Sequence, residues 1–158
     1  MTNLLESIDK TEAARLKRLM VDYLQEMAMY TTVPTDQQGA LTYPYLEHYW
    51  REPDRFPFIV RIDDADCGFA LVRRTLDPTD GQPEHSIAEF FIKPEYRRGG
   101  LGTQVATTLI RRFPGNWEVS VLKTNLPAQP FWRDLLNSLC PSLNCSETDE
   151  HYQYRLKV

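Results

Sequence analysis

The sequence predicts an α+β fold: a mixed, mostly antiparallel sheet with one parallel pair of strands, flanked by helices. Three observations predict it. Strand-like runs at Phe58 to Ile62, Gly68 to Arg74 and Ser86 to Ile92 follow one another through turn-forming connections, the spacing of antiparallel neighbours. A helical pattern from Gly100 to Phe113 then separates the last of these from a further strand, Trp117 to Leu122, and such a run closes by a right-handed crossover that leaves its two strands parallel. Finally, 158 residues with 42% hydrophobic content suffice for one substantial core, so a single domain over 1–158 is expected.

Each element has its own local cause. Leu4 to Ile8 suits a short strand, and Asp9 with Glu12 three residues on forms the pattern of an N-cap and capping box. Behind it Ala13, Leu16, Met20, Tyr23, Leu24 and Met27 recur at three- and four-residue steps, the stripe of a helix with one buried face. A polar connection, TTVPTDQQGALTYP, leads to a segment that crowds Tyr43, Tyr45, Tyr49 and Trp50 together, as packing or as the wall of a pocket. Asp63-Asp64-Ala65-Asp66 supplies the turn between the first two long strands. In the later helix Leu101, Val105 and Leu109 make one line, with Ala106, Ile110 and Phe113 beside it; Arg111 and Arg112 suit the negative end of its dipole and Pro114-Gly115 ends it. A second helix is expected from about Ala128 to Leu139, then a turn-rich CPSLNCSETDE, then a last strand in HYQYRLKV.

A net charge of −4 argues against a chain whose main work is coating nucleic acid, which needs a dominant basic surface. No apolar run is long enough to span a membrane, and MTNLLESIDK lacks the basic flank and apolar core of a signal peptide, so a cytoplasmic address and no membrane partner are expected. Cys67, Cys140 and Cys145 are odd in number and match neither a redox nor a zinc spacing, and His48, His85 and His151 are scattered; free thiols and no metal follow.

The stretch EFFIKPEYRRGGLGTQVATTLI begins as a strand, breaks into basic residues and glycines, and resumes as a helix. Glycines let backbone N–H groups approach oxygen atoms closely, and a helix N-terminus adds unpaired donors and a positive dipole end, so the break suits a phosphate. No lysine with serine or threonine follows the glycines as a Walker A loop requires, and the third glycine of a dinucleotide fingerprint is missing.

The spacing Arg97-x-x-Gly100-x-Gly102, the preceding F-F-I-K-P-E-Y-R-R and the later V-L-K-T-N-L-P-A-Q-P-F-W resemble the GNAT superfamily of N-acyltransferases, specifically over residues 86–133. The resemblance implies acetyl-CoA as cosubstrate and an amine acceptor. It implies that backbone N–H groups of Arg98, Gly99, Gly100, Leu101, Gly102 and Thr103, with Arg97, bind the pyrophosphate. It implies further that the backbone of Phe91 and Ile92 meets the pantetheine amides, with the Ile92 N–H toward the thioester, and that Asn125 and Ala128 lie beside the pantetheine arm. Many members carry at the end of that segment a tyrosine that protonates the leaving thiolate. Here Phe131-Trp132 stands instead, and an indole is no acid in this pH range, so Trp132 is expected to pack beside the arm.

Transfer to an amine needs a neutral nitrogen, and an ordinary alkyl ammonium at pH 7 is about 4.6 kcal/mol from that form. Glu89 lies on the strand that ends at the loop, where desolvation should raise its pKa and make it a general base; alternatively it pairs with an arginine or faces solvent. Tyr43, Tyr45, Tyr49 and Trp50 either hold a cationic amine or, the reading placed first, simply pack. Three functions follow in order: an N-acetyltransferase for a small-molecule or protein amine; a catalytically silent acyl-CoA module acting as a sensor or partner domain; and nucleic-acid binding through Arg73, Arg74, Arg97, Arg98, Arg111 and Arg112. A homodimer through the C-terminal strand or the first helices is allowed by the sequence without a decisive signal.

Overall fold

The structure, a computed structural model, describes residues 4–158. In chain order its elements are β1 (Leu5–Ser7), α1 (Ala13–Met27), α2 (His48–Arg51), β2 (Arg55–Ile62), β3 (Ala65–Leu76), β4 (Pro83–Ile92), α3 (Leu101–Arg112), β5 (Asn116–Leu122), α4 (Ala128–Leu139), β6 (Asn144–Glu147) and β7 (His151–Lys157). The strands form one mixed sheet in the order β1-β2-β3-β4-β5-β7-β6. Among the described residues no helix is long and apolar enough to cross a membrane. The chain groups into two compact units, one running up to Leu71 and taking in Glu89–Tyr96, the other Val72–Ala88 with Arg97–Val158.

In the first unit β1 pairs antiparallel with β2, Leu5 opposite Val60. Asp9 caps a 3-10 turn, Lys10–Glu12, by accepting from the Thr11 N–H at 2.9 Å, and α1 continues from that turn. The expected capping box is not closed. Glu12 turns to Arg15 at 3.0 Å, whose guanidinium also binds Glu6 at 3.1 Å and Asp66 at 2.8 Å. A charge-assisted pair outcompetes a neutral backbone donor for the same carboxylate. The buried face of α1 is Leu16, Leu19, Met20, Tyr23 and Leu24. Asp63 makes the turn into β3 with φ 53, a left-handed conformation that Asp tolerates better than most residues. On β3, Gly68 leaves room for the end of β4: a Cβ there would sit 2.0 Å from the Phe91 carbonyl oxygen.

In the second unit β4 and β5 are parallel, as the helix between them requires, in register from Glu84↔Asn116 to Ile87↔Val119. β5 pairs antiparallel with β7 along its whole length. α3 buries Leu101, Val105, Ala106, Leu109 and Ile110, and α4 buries Trp132, Leu135 and Leu136. Trp117 is fully buried and donates its indole N–H to the Phe113 carbonyl at 2.8 Å. The segment read as turn-rich before the last strand contains β6, antiparallel to β7. All four of its residues are exposed, so no alternation of apolar and polar residues marks it.

Candidate active site

Glu89 is half-buried on β4, a strand whose neighbouring residues are largely apolar. Its carboxylate is approached by phenols. Tyr23 donates its hydroxyl to Glu89 Oε2, and the Tyr43 hydroxyl is close enough to act on the same carboxylate. Burial pushes the Glu89 carboxyl up to about 7, and the two phenols act against that rise without cancelling it.

The ring of Tyr23 is fixed as firmly as its hydroxyl. It stands edge-on to Phe69 at 5.2 Å and tilted against Phe91 at 5.6 Å, while Phe69 and Phe91 contact each other at 5.8 Å. Residues 89 and 91 point to the same side of β4, so a helix packed on that side meets the carboxylate and the ring together.

Tyr43 interacts with both Glu89 and Tyr49, and burial together with the Glu89 charge raises its pKa. Tyr49 is buried on α2, with the Arg55 guanidinium 5.3 Å from its ring centre. Its hydroxyl is close enough to Tyr43 and Arg55 to feel both, yet among the described residues it makes no hydrogen bond of good geometry. Arg55 also pairs with Glu52. The aromatic segment therefore divides. Tyr43 approaches the carboxylate, Tyr49 packs behind it, Tyr45 is 56% exposed, and the buried Trp50 indole N–H has no partner among the described residues.

Arg97, Arg98, Gly99 and Gly100 are exposed, and the chain turns through two left-handed residues, Arg98 at φ 69 and Gly100 at φ 85, before α3 begins. Gly100 is the N-cap and offers no side-chain cap; the first helical bond runs from the Gln104 N–H to its carbonyl. The helix itself has no acceptors for the N–H groups of Leu101, Gly102 and Thr103. A Cβ built at Gly99 or Gly100 would meet nothing within 4 Å, so the loop is an open cradle rather than a tight packing contact. Donors in an open left-handed turn at a helix start fit a phosphate.

Asn125 closes the start of α4: its Oδ1 accepts from the Ala128 N–H at 3.3 Å. Phe131 is half-buried, and Trp132 is buried with its ring edge-on to Phe131 at 5.0 Å. The side chains of Phe91 and Ile92 are both buried. Among the described residues no group of three or more His, Cys, Asp or Glu side chains could hold a metal ion, and the three cysteines are free.

Tyr23 is the site residue that sequence reasoning missed. Its spacing places it in the buried stripe of α1, and it does lie there, but periodicity does not say that its hydroxyl reaches Glu89. One signal was available: a buried phenol needs a hydrogen-bond partner, and Tyr23 is the sole tyrosine in that stripe.

The fold recurs in solved acetyltransferases. An acetyltransferase from Thermus thermophilus superposes with a TM-score of 0.72 at 14% identity, over 99% of this chain and 98% of that one. NAA60 of Arabidopsis thaliana, in complex with acetyl-CoA, gives 0.64 at 13% identity over 98% of each chain. The aminoglycoside acetyltransferase meta-AAC0020, from an uncultured soil metagenomic sample and in complex with sisomicin, gives 0.63 at 14% identity, over 83% of this chain and 85% of that one. No curated protein matches the sequence. The family model described as Acetyltransferase (GNAT) family matches residues 17–136, which take in most of α1, Glu89, the Arg97–Thr103 loop and most of α4, and the chain belongs to that family of acyltransferases.

Proposed function

We propose that the chain transfers an acetyl group from acetyl-CoA to a primary amine of a small molecule or a protein, residues 1–158 serving as one acyltransferase domain. The observation that carries this reading is Glu89: a carboxyl pushed up to about 7, in a largely apolar setting, and hydrogen-bonded by the neutral Tyr23 hydroxyl. A base is most useful when its pKa lies near the working pH, because it is then both available and strong. An ordinary carboxylate near 4.5 would be too weak to take a proton from an amine.

In this reading acetyl-CoA supplies the acyl group and departs as the thiol. The open turn from Arg97 to Thr103 holds the pyrophosphate, and Asn125, Ala128 and Trp132 border the pantetheine arm. Glu89 accepts the proton that the amine nitrogen loses as it bonds to the acyl carbon. No acid is required at Trp132. A thiol of ordinary pKa near 8.5 is only about 2 kcal/mol from its anion at pH 7, within reach of water as the donor. The similar structure that holds acetyl-CoA supports the cosubstrate, and the aminoglycoside acetyltransferase shows this fold serving a small-molecule acceptor. The free cysteines suit the reducing cytosol, where we place the protein.

Thiol release from acetyl-CoA, measured across a panel of small amines and peptide N-termini, tests the proposal. At least one amine should accelerate release well above hydrolysis and be recovered acetylated. Tight acetyl-CoA binding with no amine acetylated would favour a silent module over an enzyme.

A further inference from the structure

We propose that Tyr23 and Tyr43 are the positioning residues of Glu89: their hydroxyls, brought by α1 and by the segment between α1 and α2, fix the carboxylate on β4 and sustain the ionised form that can take a proton. The proposal rests on the reading of Glu89 as the general base.

The geometry restricts what else could play that part. Among the described residues, Tyr23 from α1, Tyr43 from the following segment and Tyr49 from α2 interact with the carboxylate, while Glu26 of α1 acts on Tyr23 and Arg55 of β2 acts on Tyr43 and Tyr49. Arg55 is the cation among them, and its guanidinium is committed to Glu52 and the face of Tyr49. The hydrogen bond to Glu89 comes instead from a neutral phenol, Tyr23, and a second neutral phenol, Tyr43, is close enough to act on the carboxylate. That choice matters chemically. A guanidinium in direct contact would hold Glu89 ionised far into the acid range and leave it a poor proton acceptor, whereas a phenol stabilises the anion less and leaves proton affinity near neutrality.

Both phenols keep their protons while doing this. Burial first, then the Glu89 charge, raises the pKa of Tyr23 and of Tyr43, so each remains a donor throughout the neutral range. Tyr23 also has little freedom to turn away, because Phe69 and Phe91 hold its ring on two sides. The carboxylate is thus held by the α1 phenol with the Tyr43 hydroxyl beside it, and an amine meets it in a fixed orientation.

The test titrates Glu89 in the full chain without turnover. With 13C-labelled glutamate, the Glu89 carboxyl resonance is assigned by its absence in Glu89→Gln, and its midpoint is followed in wild type, Tyr23→Phe and Tyr43→Phe. Each Phe variant loses a donor and keeps the ring, so its midpoint should rise by about one pH unit from a wild-type value near 7. The acidic limb of kcat/KM should move upward by the same amount, with acetyl-CoA affinity unchanged. Midpoints that stay in place or fall in both folded variants overturn the proposal, even if Glu89→Gln is inactive. Midpoints that rise while Glu89→Gln keeps full rate leave the base reading without support and overturn the positioning role with it.

Discussion

The hydroxyl of Tyr23 on α1 meets the carboxylate of Glu89 on β4, joining residues 66 apart in sequence. That bond partly offsets what burial costs the Glu89 anion but leaves the group far from its ordinary 4.5, at about 7. A folded-state pKa above the unfolded one means that the native state binds more protons between those values. Stability contributed by this group is therefore present below pH 4.5 and is lost as pH rises through 7. Glu89→Gln removes the titration. Its melting temperature relative to wild type should climb between pH 4.5 and 7 and level off above; a constant difference across that window would show that Glu89 titrates normally.

The loop offers a cleaner probe at Gly99 than at Gly100. Gly100 sits at φ 85, where any side chain is strained, while Gly99 lies outside the left-handed region with open space above it. Gly99→Asp should therefore leave thermal stability within about 0.5 kcal/mol of wild type, the usual range for an open surface site, while placing a negative charge among the phosphate oxygens. Calorimetric affinity for acetyl-CoA should fall at least about tenfold, as removal of 1.4 kcal/mol would do. Gly99→Asp with unchanged affinity would show that the pyrophosphate lies elsewhere.

Gly68 governs the end of β4. A Cβ there would sit 2.0 Å from the Phe91 carbonyl oxygen and 3.0 Å from the Ile92 Cα, and those are backbone atoms that cannot swing aside. Gly68→Ala should cost about 1–3 kcal/mol by denaturant unfolding, the range for forced overpacking. Acetyl-CoA affinity should fall as well, because the displaced backbone is the part of β4 assigned to the pantetheine. A neutral effect on both would place the β3 backbone farther from β4 than it is here.

Trp132 is a packing residue in this account. Trp132→Phe keeps the aromatic body and loses one N–H, so kcat should change by less than about tenfold. Trp132→Ala truncates a buried side chain and should destabilise the chain by about 3–5 kcal/mol. A folded Trp132→Phe variant that binds acetyl-CoA normally yet loses several orders of magnitude in rate would assign the indole a chemical part.

The sequence made the framework legible wherever burial imposed a period. α4 spans Ala128–Leu139 as its apolar spacing predicts, and the parallel β4–β5 pair follows from the helix between them. β6 was hidden because Asn144, Cys145, Ser146 and Glu147 are exposed and paired only by backbone. The missing capping box at Asp9 is a competition that local spacing cannot settle, since Arg15 draws Glu12 away with help from Asp66, a residue distant in sequence. Glu89 could be singled out from its strand and the nearby loop. Its partners could not, because Tyr23 and Tyr43 reach it through tertiary packing, and a buried tyrosine reads the same in a sequence whether its hydroxyl touches a backbone carbonyl or a base.

The central claim is that Glu89 takes the amine proton, and the most direct measurement is the pH profile of kcat/KM for Glu89→Gln beside wild type, with acetyl-CoA and an accepted amine. Gln keeps the shape and removes the basicity. The account predicts a loss of about 10²-fold or more at neutral pH, disappearance of the limb near 7, and acetyl-CoA affinity within about twofold of wild type. A variant that retains full rate with the same acidic limb would contradict it and leave Glu89 a structural carboxylate.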